Sequence, residues 1–190
     1  MLTERAPRNA ALRMEFQKSG LLTSLPVPSD DRLRKPANSM ALALAGGTVA
    51  GLLPACAAFL NVAADFYGVP RPGIRVLAAR PLRVREGGWA SELFGDYSPQ
   101  TGQIRVWMRT AVRKQVTSFG TFLSTLCHEF CHHLDYHCFH FPDSWHTRGF
   151  YERTAVLYHH AQGTAAKRLF WVRMPGGRWR IDWPRTRSGT

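Results

Sequence analysis

The segment His128-Glu129-Phe130-Cys131-His132 places two imidazoles four residues apart, with a carboxylate directly after the first. On a helix, residues four apart share a face about one turn apart along the axis, so both rings can address one ion. Glu129 is turned roughly a quarter turn from His128, which suits a base beside a metal rather than a further ligand. This is the HExxH arrangement of zinc metallopeptidases, in which a metal-activated water attacks a peptide carbonyl and the glutamate manages its proton.

Catalytic zinc takes three protein ligands and keeps one position for water. Downstream of His132 the candidates for the third are His133, His137, His140, His146 and Glu152. His133 points about 100° away from His132 and His137 about 140° away on a continuous helix, so both read as surface histidines. The turn at Phe141-Pro142-Asp143-Ser144 can bring the chain back, which favours His146 or Glu152. Glu152 follows His132 with nineteen residues between, a spacing known in the thermolysin-like class, but that class carries Asp four positions after its Glu, where this chain has Val156. His146 and Glu152 would diverge by about 120° on a helix, so one metal takes only one of them. His146 is the favoured ligand and Glu152 the alternative.

These residues need a helix held down on one side and open on the other. Phe122, Leu126, Phe130 and Leu134 recur every four residues as a core stripe. His128 lies roughly 200° around from Leu126 and faces away from that core. Ser118 is the expected N-cap. A second helix is expected from about Thr147 to Gln162. Upstream, a helix from about Pro54 to Tyr67 ends at Gly68-Val69-Pro70, and Ile74 to Leu77 reads as a strand. Glu92 to Tyr97 and Gln103 to Met108 form two strand-like runs around a turn at Ser98 to Gly102, and Pro81 to Gly88 is a basic connection. Leu169 to Val172 and Trp179 to Trp183 flank Pro175-Gly176-Gly177 as a terminal hairpin.

The 190 residues, 45% of them hydrophobic, suffice for one domain with a core. Residues 1–39 mix Arg, Asp, Ser and Pro without a period and read as a mobile N-terminal arm with at most one short helix near Ala10 to Lys18. Residues 40–165 carry the metallopeptidase domain, and 166–190 a basic aromatic tail. Met40 to Ala64 has no charged residue, yet Pro54, Asn61 and its Ala/Gly content argue for a soluble helix rather than a membrane span. Cys56, Cys127, Cys131 and Cys138 form no CxxC knuckle and read as reduced thiols, consistent with a cytoplasmic protein. The net charge of +12 suggests attraction to polyanions. The Arg/Trp-rich tail could engage nucleic acid, or present an amphipathic hairpin with a solvated basic face.

The segment resembles the SprT-like metallopeptidases and related minimal zincins. The likeness lies in His128-Glu129-Phe130-Cys131-His132, a gap of thirteen residues, and His146-Thr147-Arg148-Gly149-Phe150, similar to that family's His-Gly-x-x-Phe element with Thr147 in place of Gly. It implies that His146 is the third ligand beside His128 and His132. The order of helix, strands with a hairpin, HExxH helix and second helix, over roughly residues 54 to 162, is also similar to such minimal zincins. The four-cysteine zinc ribbon of some members is missing, and a metzincin is disfavoured because Asp135 and Cys138 replace its Gly and last His.

The expectation is therefore an α+β, minimal zincin-like, zinc-dependent endopeptidase acting on polypeptide, with Glu129 as general base. Tyr151, Tyr158 or Arg153 are candidates to assist. Asp135 or Asp143 could orient a ligand histidine. The substrate is expected along the Gln103 to Met108 strand. The competing reading is a non-catalytic module on the same scaffold that binds nucleic acid or protein through its basic surface.

Overall fold

The computed structural model describes residues 1–84 and 90–189. Among these, the chain folds as α+β, with six α-helices around a small mixed sheet. The helices are α1 (Ala10–Leu21), α2 (Arg34–Ala45), α3 (Val49–Tyr67), α4 (Phe119–His137), α5 (Arg148–Gln162) and α6 (Trp183–Ser188). The sheet runs in the order β1 (Gly73–Ala79), β5 (Gln103–Arg109), β4 (Gly95–Ser98). β1 is parallel to β5, and β4 is antiparallel to it with Gly95 opposite Val106. Short strands β2 (Leu82–Val84) and β3 (Ala90–Glu92) pair with each other. β6 (Trp171–Met174) and β7 (Arg178–Ile181) make the terminal hairpin.

The expected strand from Glu92 to Tyr97 is two strands, because Leu93 and Phe94 interrupt it and send the halves to different partners. The hairpin around Ser98 to Gly102 is present, and β5 buries Ile104, Val106 and Met108 while Arg105 is exposed, although Trp107, on the Arg105 face, is buried as well. β5 is therefore the central strand, and the sheet edge beside α4 belongs to β4. The placement of substrate along Gln103 to Met108 is overturned on this ground, since both sides of β5 are already paired. Part of the basic connection, residues 85–89, lies outside the described residues.

α4 begins at the expected N-cap, where the Ser118 hydroxyl accepts from Thr121 N at 3.3 Å. Its stripe of Phe122, Leu126, Phe130 and Leu134 is fully buried in the core, where it meets Ile104, Val106 and Met108 from the sheet. Burying each such side chain contributes about 1.5–3 kcal/mol, which fixes the rotation of the helix and turns His128 and His132 outward. α3 starts five residues earlier than Pro54, at Val49, because Thr48 caps it by accepting from Gly51 N. It is the one helix among the described residues long and apolar enough to cross a membrane, with a mean hydropathy of 1.6; its Leu52, Cys56, Phe59, Leu60, Ala63 and Ala64 are buried, and it packs on α2 and β1.

Residues 1–39, expected as a mobile arm, are packed instead. They hold α1 and the start of α2, and bury Thr3, Ser19, Leu25, Leu33 and Ala37. The join between α1 and α5 explains Gly149: a Cβ there would run into Ser19 O and would lie 2.6 Å from Leu22 O. Backbone carbonyls cannot step aside, so only glycine lets the two helix ends meet this closely.

Candidate metal centre

His128 and His132 project from consecutive turns of α4, and His146 meets them from the connection to α5. That connection folds back because Phe141 N donates to Asp135 O, Ser144 N donates to Phe141 O, and Ser144 adopts a left-handed φ of 41°. The Thr147 hydroxyl then caps α5 by accepting from Phe150 N at 3.1 Å. The three Nε2 atoms form a near-equilateral triangle, 3.0 Å from His128 to His146 and 3.2 Å from His132 to each of the others. They are close enough together to hold a metal ion. Glu152 is not among them; its carboxylate accepts from Trp171 Nε1 at 2.8 Å.

Hydrogen bonds fix which nitrogen of two rings is free. Ser144 Oγ donates to Asp135 Oδ2 at 3.1 Å, so His132 Nδ1–H donates to Ser144 Oγ at 2.6 Å. His146 Nδ1–H donates to the Glu4 carboxylate at 2.6 Å. In both rings the Nε2 lone pair is left facing the triangle. Lone pairs so close repel unless a cation lies between them. Tetrahedral zinc at about 2.0–2.1 Å from nitrogen sets its ligands about 3.3–3.4 Å apart, and the observed triangle is only slightly tighter than that. The residues present therefore fit such an ion.

Electrostatics point the same way. Burial, reinforced by His146, holds His128 down at about 3, and burial with both neighbouring imidazoles holds His132 well below the ordinary histidine value. Both are therefore neutral, the form that ligates. The hydrogen bond from His146 lowers the Glu4 carboxyl. Phe150 forms the floor: its fully buried ring lies 4.9 Å from His128, 4.5 Å from His132 and 5.2 Å from His146, centroid to centroid.

Glu129 shares the cleft with the three histidines and is buried. Burial, and secondarily Asp96, pushes its carboxyl up to about 8. The cleft, about 450 Å³, is also lined by Gly95, Asp96 and Tyr97 of β4 and by Tyr136 and Asp143. Gly95 is where strand and helix touch, since a Cβ there would lie 2.7 Å from Thr125 Cγ2 and 2.9 Å from both Cγ and Oε1 of Glu129.

Of the other expected participants, Asp143 lines the cleft and Tyr151 lies against the histidines. Arg153 is buried in an ion pair with Asp135, 2.7 Å apart, and also donates to Ser19 O and Leu22 O. Asp135, expected as a candidate to orient a ligand histidine, reaches His132 through Ser144. Tyr151 donates to Leu2 O and stacks on His146 at 5.8 Å, while Tyr158 sits by Gly120 at the start of α4. His133, expected on the surface, is buried: its Nε2–H donates to Pro70 O at 2.7 Å, so Nδ1 accepts from the Tyr97 hydroxyl at 3.0 Å. Sequence reasoning missed Glu4 and Ser144. No periodicity or spacing signals Glu4, whereas Ser144 stood within the recognised turn.

The chain matches no family model, no curated protein and no solved structure.

Proposed function

We propose that the protein is a zinc-dependent endopeptidase with a minimal zincin-like arrangement. The observation that carries this reading is the Nε2 triangle of His128, His132 and His146 in one cleft with Glu129. Bound zinc would supply Lewis acidity toward a water and a carbonyl oxygen. Glu129 takes the proton of the attacking water and passes it to the leaving amine. Bound zinc, a dication close to the carboxyl, would offset the effect of burial and favour the carboxylate form that the base role needs. Ser144 and Glu4 keep the ligand tautomers correct throughout.

A polypeptide in extended form suits the free edge of β4, which borders the cleft, and backbone pairing there would carry a peptide bond past Glu129. The four free cysteines accord with a reducing, cytoplasmic setting. A module that only bound nucleic acid or protein would have no use for a buried carboxyl beside three convergent imidazoles.

The test is metal analysis together with hydrolysis of a generic unfolded protein. Wild type should carry about one zinc per chain, and His128→Ala or His132→Ala should remove it. Glu129→Gln should keep the zinc and lose turnover by at least about two orders of magnitude. Folded protein that takes up no zinc, or a Glu129→Gln variant as active as wild type, defeats the reading.

A further inference from the structure

We propose that Glu4 is a positioning residue for His146, which makes residues 1–4 a working part of the metal centre. This rests on the metal-centre reading above and extends it to a segment that carries no part of the HExxH motif.

His128 and His132 are aimed by a buried helix, but His146 is in a loop, between Ser144 and the N-cap Thr147. A loop imidazole needs something else to hold its plane. Glu4 supplies it through main chain and side chain together. Glu4 N donates to His146 O at 3.1 Å, and Glu4 Oε1 accepts from His146 Nδ1–H at 2.6 Å and from His146 N at 3.4 Å. The carboxylate, an acceptor only, forces the Nδ1–H tautomer and makes Nε2 the better electron donor.

Glu4 is itself held from the far end of the chain. Thr3 N donates to Trp179 O and Trp179 N donates to Thr3 Oγ1, both at 2.8 Å. Leu2 bridges Arg180 in antiparallel fashion, and Ile181 N donates to Met1 O at 3.2 Å. The first residues thus lie antiparallel along β7, held by a single bridge and its flanking hydrogen bonds. The basic aromatic hairpin, which the proposed peptidase chemistry does not otherwise use, acquires a role: it is the rail on which Glu4 is seated.

The experiment measures zinc affinity by chelator competition in wild type, Glu4→Ala, Glu4→Gln and, as a remote control, Asp30→Asn. Glu4→Ala should weaken zinc binding about 10- to 100-fold, and Glu4→Gln, which keeps an acceptor but loses the charge, should fall between it and wild type. Metal-free Glu4→Ala should melt within about 4 °C of wild type, equivalent to no more than about 1–2 kcal/mol. Cobalt-loaded Glu4→Ala should show an altered visible spectrum, and Asp30→Asn an unaltered one. A Glu4→Ala affinity within twofold of wild type overturns the proposal while leaving the three-histidine centre standing. So does a loss of zinc that merely accompanies collapse of the metal-free fold. A wild-type protein that binds no zinc overturns both.

Discussion

Gly95→Ala probes the contact that holds Glu129, the proposed base. A methyl group at this position would stand 2.7 Å from Thr125 Cγ2 and 2.9 Å from Glu129 Cγ. Carbon atoms rest about 3.5–4.0 Å apart, so either Glu129 retreats by about 0.6–1.1 Å or β4 lifts by a similar distance. Thr125 cannot yield easily, because its hydroxyl is bound to Thr121 O at 2.9 Å within α4. Lifting β4 strains its pairing with Val106. Forcing a methyl group into such a contact costs about 1–3 kcal/mol, or about 2–12 °C in melting midpoint for a domain of this size. A base misplaced by about 1 Å loses on the order of a hundredfold in rate. The three histidines are untouched, so zinc content should stay at the wild-type level. The assay therefore pairs thermal unfolding and metal analysis with turnover. A Gly95→Ala protein that melts and cleaves like wild type would refute the close approach of strand and helix, and with it the account of how Glu129 is held.

The identity of the third ligand separates cleanly by substitution. His146→Ala should lose zinc and activity together, whereas Glu152→Ala should keep both and lose only about 1 kcal/mol of stability, since Trp171 Nε1 gives up its acceptor; zinc lost from Glu152→Ala and kept in His146→Ala would reverse the assignment. Asp135→Asn should destabilise the fold by about 3–5 kcal/mol in urea titration, because the fully buried Arg153 guanidinium is left without its counter-charge. Adding Arg153→Met should recover much of that loss, and an Asp135→Asn protein as stable as wild type would contradict the burial of the pair.

The site was legible in the sequence where it depends on helix periodicity. The four-residue stripe from Phe122 to Leu134 predicts which face of α4 is buried, and the face opposite follows from geometry alone. Val156, standing where the Glu-ligand class has Asp, and the likeness to the His-Gly-x-x-Phe element made His146 a better candidate than Glu152, and the structure does bring His146 to the other two histidines. His133 escaped because a lone helix describes directions without saying what arrives there; Pro70 and Tyr97 come from distant segments to bury it. β5 was mistaken for an edge because alternation reveals a buried face and carries no information about sheet order. Residues 1–39 looked structureless since their order comes from long-range partners such as Thr147, Arg153 and Trp179. Their own sequence has little periodic signal.

The seating of Thr3 on Trp179 also ties the centre to the timing of synthesis. The two residues are 176 positions apart, so at about 5–20 residues per second the ribosome takes about 9–35 s to deliver the second after the first. Throughout that interval the HExxH helix and His146 can emerge while Glu4 has no rail to rest on. The segment around Trp179, made well after His146, is then what seats the carboxylate that bonds the His146 ring, so the three histidines can come together before that hydrogen bond has its full support.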